Sequence, residues 1–148
     1  MGLYCIIVVS LLFIMLITEE EFDSLVDEAW ENIPVRFRDE VENVLIAIED
    51  FPNPRQLRKM KIRGTLLGLY DGVPKTAWGQ AVMGIQPSKI TIFRGPIIHQ
   101  CRTEDELKEL ISDVLMHEVG HYFGYDEDGI RELENRARAV RKENKSME

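Results

Sequence analysis

The sequence is poor in the residues that define several classes of protein. It has two cysteines in 148 residues, Cys5 and Cys101, which predict no disulfide framework and fit a reducing compartment. Basic residues are outnumbered by acidic ones, 18 to 26, and the formal net charge is −8. Because an acidic surface repels phosphate backbones, nucleic acid is not an expected partner. A hydrophobic content of 45% and a charged content of 30% are typical of one folded domain.

The longest apolar run, residues 3–17, lacks the features of a cleaved secretory signal. No Lys or Arg precedes it, and no small-residue cleavage site follows it. It is also short against the roughly 20 residues that span a bilayer. A short membrane anchor, a true translation start at Met15 and a buried N-terminal element all stay open. We therefore separate residues 1–17 from a single domain at 18–148, and expect a cytoplasmic protein, with membrane anchoring through residues 3–17 as the alternative.

Histidine is scarce but concentrated. Two of the chain's three histidines stand four residues apart in the motif His117-Glu118-x-x-His121. On a helix this spacing places both imidazoles on one face, where their Nε2 atoms can bind one metal ion at about 2.0–2.1 Å. The alternative is a pair of core-edge histidines without a metal, each needing its own hydrogen-bond partners.

A catalytic zinc site needs three protein ligands and one open position. The third ligand must come from a chain that turns back after the helix, and Gly124 permits that turn. Glu127 stands at the distance expected of the third ligand. Asp126 and Asp128 are the alternatives, although Asp126 is better placed as the N-cap of the next helix.

The glutamate beside the first histidine supplies the base of a hydrolase. A zinc ion lowers the pKa of its bound water from about 15.7 to near 7. Glu118 would accept that proton, direct the water at a carbonyl carbon and later protonate the leaving amine. Zn²⁺ is the expected cofactor, although Mn, Fe, Co or Ni would fit two histidines and a carboxylate as well.

Hydrophobic periodicity predicts a mixture of helices and short strands. Helices are predicted at 19–32, 35–42, 103–123 and 126–142, and strands at 44–48, 65–70 and 89–94. The apolar stripe of the 103–123 helix continues into the two motif histidines, which places them at the edge of the core. Residues 55–63 are interpreted as a solvated loop or helical turn, and residues 74–88 as a long loop.

Three other side chains invite a functional interpretation. His99 and Cys101 could form a second metal pair, but an ordinary loop histidine and a small buried thiol are the preferred interpretation. Trp78 could line a substrate groove, but anchoring of its loop is the commoner role.

Three segments occur in an order that identifies a family. They are LLGLYDGVP at 66–74, KITIFRGPI at 89–97 and HEVGHYFGYDED at 117–128. Over residues 18–140 the chain resembles the small bacterial zincin-like metallopeptidases. The resemblance implies an α+β minimal zincin-like fold, with a small three- to four-stranded sheet, an active-site helix, an N-terminal helix and a C-terminal helix. It also implies zinc on His117 and His121, with Glu118 as the base. The family's third ligand is usually Asp, where this sequence has Glu127.

The expected function is zinc-dependent hydrolysis of short or unfolded peptides. An extended substrate would pair with an exposed edge of the sheet, for which strand 89–94 is the candidate. Because few residues follow Glu127, we expect a shallow groove, or one completed by a partner or by the 74–88 loop. The alternative is a metal-binding interaction protein on a zincin scaffold, without peptidase activity.

Overall fold

The computed structural model describes residues 16–60, 65–79 and 87–148. Residues 1–15, which hold most of the apolar run at 3–17, lie outside the described residues, as does the middle of the predicted loop. Within these ranges, no helix is both long and apolar enough to cross a membrane.

The described residues form six α-helices and three strands. In chain order they are α1 (Glu19–Glu31), α2 (Val35–Arg38), β1 (Val44–Glu49), α3 (Pro54–Lys59), β2 (Gly68–Asp71), β3 (Ser88–Phe93), α4 (Arg94–Gln100), α5 (Glu104–Phe123) and α6 (Glu127–Met147), with a 3₁₀ turn at Lys75–Ala77. The predicted α+β class is confirmed, with its N-terminal, motif and C-terminal helices and a small sheet.

The sheet has the strand order β1-β3-β2, with β3 parallel to β1 and antiparallel to β2. The prediction that strand 89–94 offers an exposed edge is therefore wrong, because β3 is paired on both sides. Alternation of polar and apolar residues reports which face of a strand is buried, not which edge is paired. Even the polar Thr91 is only 1% exposed.

Strand β2 lies at one edge of the sheet, so some of its backbone N–H and C=O groups have no partner in the sheet. Phe93 N donates to Leu67 O at 2.9 Å, so these two residues form a hydrogen-bonded pair of the antiparallel ladder. In an antiparallel ladder, hydrogen-bonded pairs alternate with non-hydrogen-bonded pairs. Gly68 and Tyr70 belong to the second kind, so their backbone N–H and C=O groups point away from β3. Among the described residues, no strand pairs with that side of β2.

Helix α5 is the element around which the core is built. Its Leu107, Ile111 and Leu115 are fully buried, in one cluster with Phe22 and Val26 of α1. Thr103 caps the helix, its Oγ1 accepting from Glu106 N at 3.1 Å. Thr18 caps α1 in the same way, its Oγ1 accepting from Glu21 N at 3.1 Å.

The loop expected around His99 is a helix instead. α4 begins directly after β3, and Pro96 lies in its first turn, where the missing N–H breaks no helical hydrogen bond. Gly95 and Pro96 follow the end of the strand, and they belong to the start of a helix and not to a loop. Ile97 of this helix is fully buried.

A tight turn joins α5 to α6. Gly124 has φ +83° and ψ +20°, the left-handed conformation that its lack of a side chain allows. Asp126 then caps α6, its Oδ1 accepting from Gly129 N at 2.8 Å. The two helices pack closely, because a Cβ on Gly120 would lie 2.7 Å from Ile130 Cγ1. This turn brings α6 back along the face of α5 that carries the motif.

Candidate metal centre

The two motif histidines lie one turn apart on α5, with ring centroids 4.9 Å apart. Their side chains are 34% and 30% exposed, which places them at the edge of the core as predicted. Burial, and then the neighbouring His117, hold the pKa of His121 below its ordinary value. A lowered pKa favours the neutral imidazole, which is the form that binds a metal ion.

Glu127 is the first residue of α6, and its carboxylate lies near the two imidazoles. Its Oε1 lies 3.8 Å from His121 Nε2. Among the described residues, His117, His121 and Glu127 form a group whose ligand atoms all lie within 4.8 Å of one another. Donors on a tetrahedral zinc lie about 3.4 Å apart, given metal–ligand distances of about 2.1 Å. Two imidazole nitrogens and a carboxylate oxygen are also a donor set that catalytic zinc sites use, so the group fits a zinc ion.

The other two acids of this turn have different partners. Asp126 is occupied as the N-cap of α6. Asp128 is 90% exposed and lies 3.4 Å from Arg131. Both contacts favour Glu127 as the third ligand.

Glu134 is a residue of the site that the sequence analysis missed. Its Oε1 lies 2.8 Å from His117 Nδ1, and its side chain is only 18% exposed. A carboxylate that accepts the Nδ1 proton fixes the tautomer and leaves Nε2 for a metal. No local pattern marks Glu134, since it stands on α6, 17 residues after its partner.

The base candidate, Glu118, is buried more deeply than either histidine. It is 7% exposed because β2 crosses its flank of α5. Burial raises its pKa to about 7, against the opposing effects of His117 and a backbone hydrogen bond from Tyr70. The crossing depends on Gly68, where a Cβ would lie 2.6 Å from Val114 Cγ1 and 3.2 Å from Glu118 Oε1.

Aromatic residues hold the end of the motif helix in place. Tyr122 is fully buried, and its hydroxyl accepts from Glu42 N at 3.1 Å. Trp78 packs edge-on against Tyr122 at 5.9 Å and donates from Nε1 to Val73 O at 3.1 Å. These contacts support the anchoring role of Trp78.

The surroundings of His99 and Cys101 favour a structural role for each residue and not a second metal pair. His99 Nδ1 lies 2.7 Å from Gly95 O within its own helix. Cys101 is buried, and burial raises the pKa of its thiol to about 11, so the thiolate that would bind a metal is disfavoured.

A family model described as zincin-like metallopeptidase matches residues 41–137, more than half of the 148-residue chain. The chain belongs to this family. Its matched span contains the two histidines, Glu118, Glu127 and Glu134, so the whole candidate centre lies within it. Membership indicates a metal-dependent peptidase with zinc as the metal. No curated protein matches the chain significantly.

We expect Glu134→Gln to weaken zinc binding by about 10- to 100-fold, because the amide is a poorer acceptor for His117 Nδ1–H. Zinc affinity is measured by competition with a chromophoric chelator. The control is Glu132→Gln, an exposed glutamate of the same helix that pairs with Arg136. Equal zinc affinity in the two variants would contradict the role of Glu134.

Glu118 should make the stability of the metal-free protein depend on pH. Its pKa is about 7 in the folded protein against 4.5 ordinarily, so the folded state binds more protons between these values. The free energy of unfolding should therefore fall as pH rises through this window. Glu118→Gln should be more stable than wild type by about 2–3 kcal/mol above pH 7 and similar near pH 4. Urea unfolding in chelator measures this, and a difference that does not change with pH would refute it.

Proposed function

We propose that the protein is a zinc-dependent metallopeptidase that hydrolyses short or unfolded peptides. The observation that carries the proposal is the placement of a buried carboxylate next to a three-ligand metal group. His117, His121 and Glu127 supply two nitrogens and an oxygen, and Glu118 lies one residue from the first ligand on the flank covered by β2.

The zinc ion, when held by these three side chains, supplies Lewis acidity and lowers the pKa of a coordinated water. Glu118 takes a proton from the attacking water and returns it to the leaving amine. Burial raises the pKa of Glu118 to about 7 in the metal-free protein, and a zinc ion beside it would favour the carboxylate that accepts the proton. Glu134 holds the first histidine in the orientation that keeps its Nε2 toward the ion.

The outer edge of β2 is where an extended substrate would bind by backbone hydrogen bonds. Gly68 and Tyr70 direct backbone groups away from β3, and both lie against Glu118, to which Tyr70 N–H donates; Gly68 N–H and the two carbonyl oxygens are left for a substrate. A peptide that pairs with this edge would bring its backbone carbonyl beside the base and the metal ligands. This edge takes the place of the one expected at 89–94.

A metal-binding protein without peptidase activity is the second candidate. It is favoured by the exposure of the Glu127 side chain, which is 71%. A ligand that is held this loosely would bind a metal without fixing the geometry that catalysis needs.

The function is tested by comparing wild type, Glu118→Gln and His117→Ala for zinc content and for cleavage of a mixed peptide library. We expect wild type to hold stoichiometric zinc and to cleave. Glu118→Gln should keep zinc but lose at least about 100-fold in kcat, since the amide cannot carry the proton. His117→Ala should lose both.

Zinc without cleavage in wild type would favour the second candidate. A wild-type protein that takes up no zinc would contradict both.

The third ligand is tested by Glu127→Ala against Asp128→Ala, two neighbouring exposed acids of the first turn of α6. We expect Glu127→Ala to weaken zinc binding by more than about 100-fold, since it removes a ligand and not only its support. Asp128→Ala should leave zinc affinity unchanged in the same chelator competition. The reverse order would reassign the third ligand.

A further inference from the structure

A groove of about 310 Å³ opens beside the candidate metal centre, between β2 on one side and α5 and α6 on the other. His117 and Glu118 lie at one end. Leu66, Leu110 and Val114 give it apolar walls, and Arg138 of α6 belongs to its lining. The groove therefore combines an apolar channel with one guanidinium and with the carboxylates of Asp113, Glu118 and Glu134.

The packing of β2 gives the direction of a substrate that pairs antiparallel to it, the more stable of the two possible pairings. Gly68 lies against Val114 and Glu118, while the side chain of Tyr70 packs against Tyr122 further along α5. Strand and helix thus run in the same direction. A peptide antiparallel to β2 would enter from the Tyr70 end and leave toward Leu66. On the proposed function, the residues that follow the scissile bond would then occupy the groove.

Arg138 is the charge that a ligand in this groove meets. Its side chain is 44% exposed, whereas those of Asp113 and Glu134 are 17% and 18% exposed. The two carboxylates are also occupied. Glu134 binds His117, and Asp113 accepts from both Arg138 and Arg141.

The guanidinium of Arg138 uses one edge for structure. Its Nε and Nη2 lie 2.9 Å and 2.8 Å from Asp113 Oδ2. The planar group has a second edge, formed by Nη1 and Nη2, that faces away from this contact and matches the geometry of another carboxylate. Arg138 stands one helical turn, about 6 Å, beyond Glu134, a distance that two residues of an extended peptide cover.

We propose that Arg138 binds a carboxylate of the substrate within about two residues after the scissile bond. This rests on the proposed peptidase function. The carboxylate is either the C-terminal one of a peptide or the side chain of an Asp or Glu, and the wild-type enzyme prefers substrates that carry it there.

The test uses zinc-loaded protein and peptides that differ in one group. One pair ends two residues after the cleaved bond, as a free acid or an amide. A second, longer and amidated pair carries Glu or Gln at that position. We expect the charged member of at least one pair to be cleaved with a kcat/KM about 10- to 100-fold higher, as for a charge-assisted hydrogen bond. The first pair reports on the terminal carboxylate and the second on an acidic side chain.

Matched variants assign the preference to one side chain. Arg138→Gln should abolish it, and Arg138→Glu should shift it toward Lys at the same position. The control is Arg136→Gln on the same helix, whose arginine pairs with Glu132 and should leave the preference unchanged. Circular dichroism checks that each variant is folded. A preference that survives in Arg138→Gln, or equal cleavage of both members of both pairs by wild type, would overturn the proposal.

Binding separates this inference from the proposed function. The affinity of each peptide for zinc-loaded Glu118→Gln is measured by calorimetry, which needs no turnover. Tighter binding of the charged peptides that Arg138→Gln in the same background removes, without any cleavage by wild type, would sustain the role of Arg138 while the peptidase assignment fails. Tighter binding that survives Arg138→Gln would overturn that role, since a carboxylate can also bind zinc directly. Equal binding of charged and neutral peptides would overturn the role of Arg138, whether or not wild type cleaves.

Discussion

The close approach of β2 to α5 at Gly68 is the contact on which the candidate site depends. A side chain there would clash with Val114 Cγ1 at 2.6 Å, so any larger residue would push the strand off the helix. The contact does two things at once. It covers Glu118, and the loss of water around that carboxylate is what raises its pKa to about 7. It also brings the outer edge of the strand, at Gly68 and Tyr70, next to the same carboxylate. The proposed base and the proposed substrate edge are therefore both products of one packing contact.

Features that a few neighbouring residues determine could be predicted from the sequence. The left-handed turn at Gly124 and the N-cap at Asp126 need only local hydrogen bonds and backbone freedom, and both are observed. The central place of β3 could not be predicted, because pairing on both edges is set by strands distant in sequence. Nor could the role of Glu134, since its contact with His117 depends on how α6 lies along α5.

The register between α5 and α6 is set by the tight turn and by the contact of Gly120 with Ile130. From there, acidic and basic side chains of the two helices meet at successive turns. His117 meets Glu134, and one turn further from the connecting turn Asp113 meets Arg138 and Arg141. One face of α6 thus presents a candidate ligand at its first residue, a support for a histidine two turns later, and a cation one turn beyond that. A shift of one residue would rotate all of these positions away from the motif together.

The two glutamates of the site show how the environment divides roles between chemically equal groups. Glu118 is 7% exposed, and burial raises the pKa of its carboxyl group in the metal-free protein, which makes it the candidate for proton transfer. Glu127 has a side chain that is 71% exposed, so it can move toward an ion without disturbing the core. Exposure also matters for the length of Glu127, whose side chain is one methylene longer than the Asp that the family resemblance leads us to expect. A side chain at the solvent edge can rotate to reach an ion without disturbing Asp126, which holds the start of α6. The longer acid is therefore compatible with this centre because it lies outside the packed part of the site.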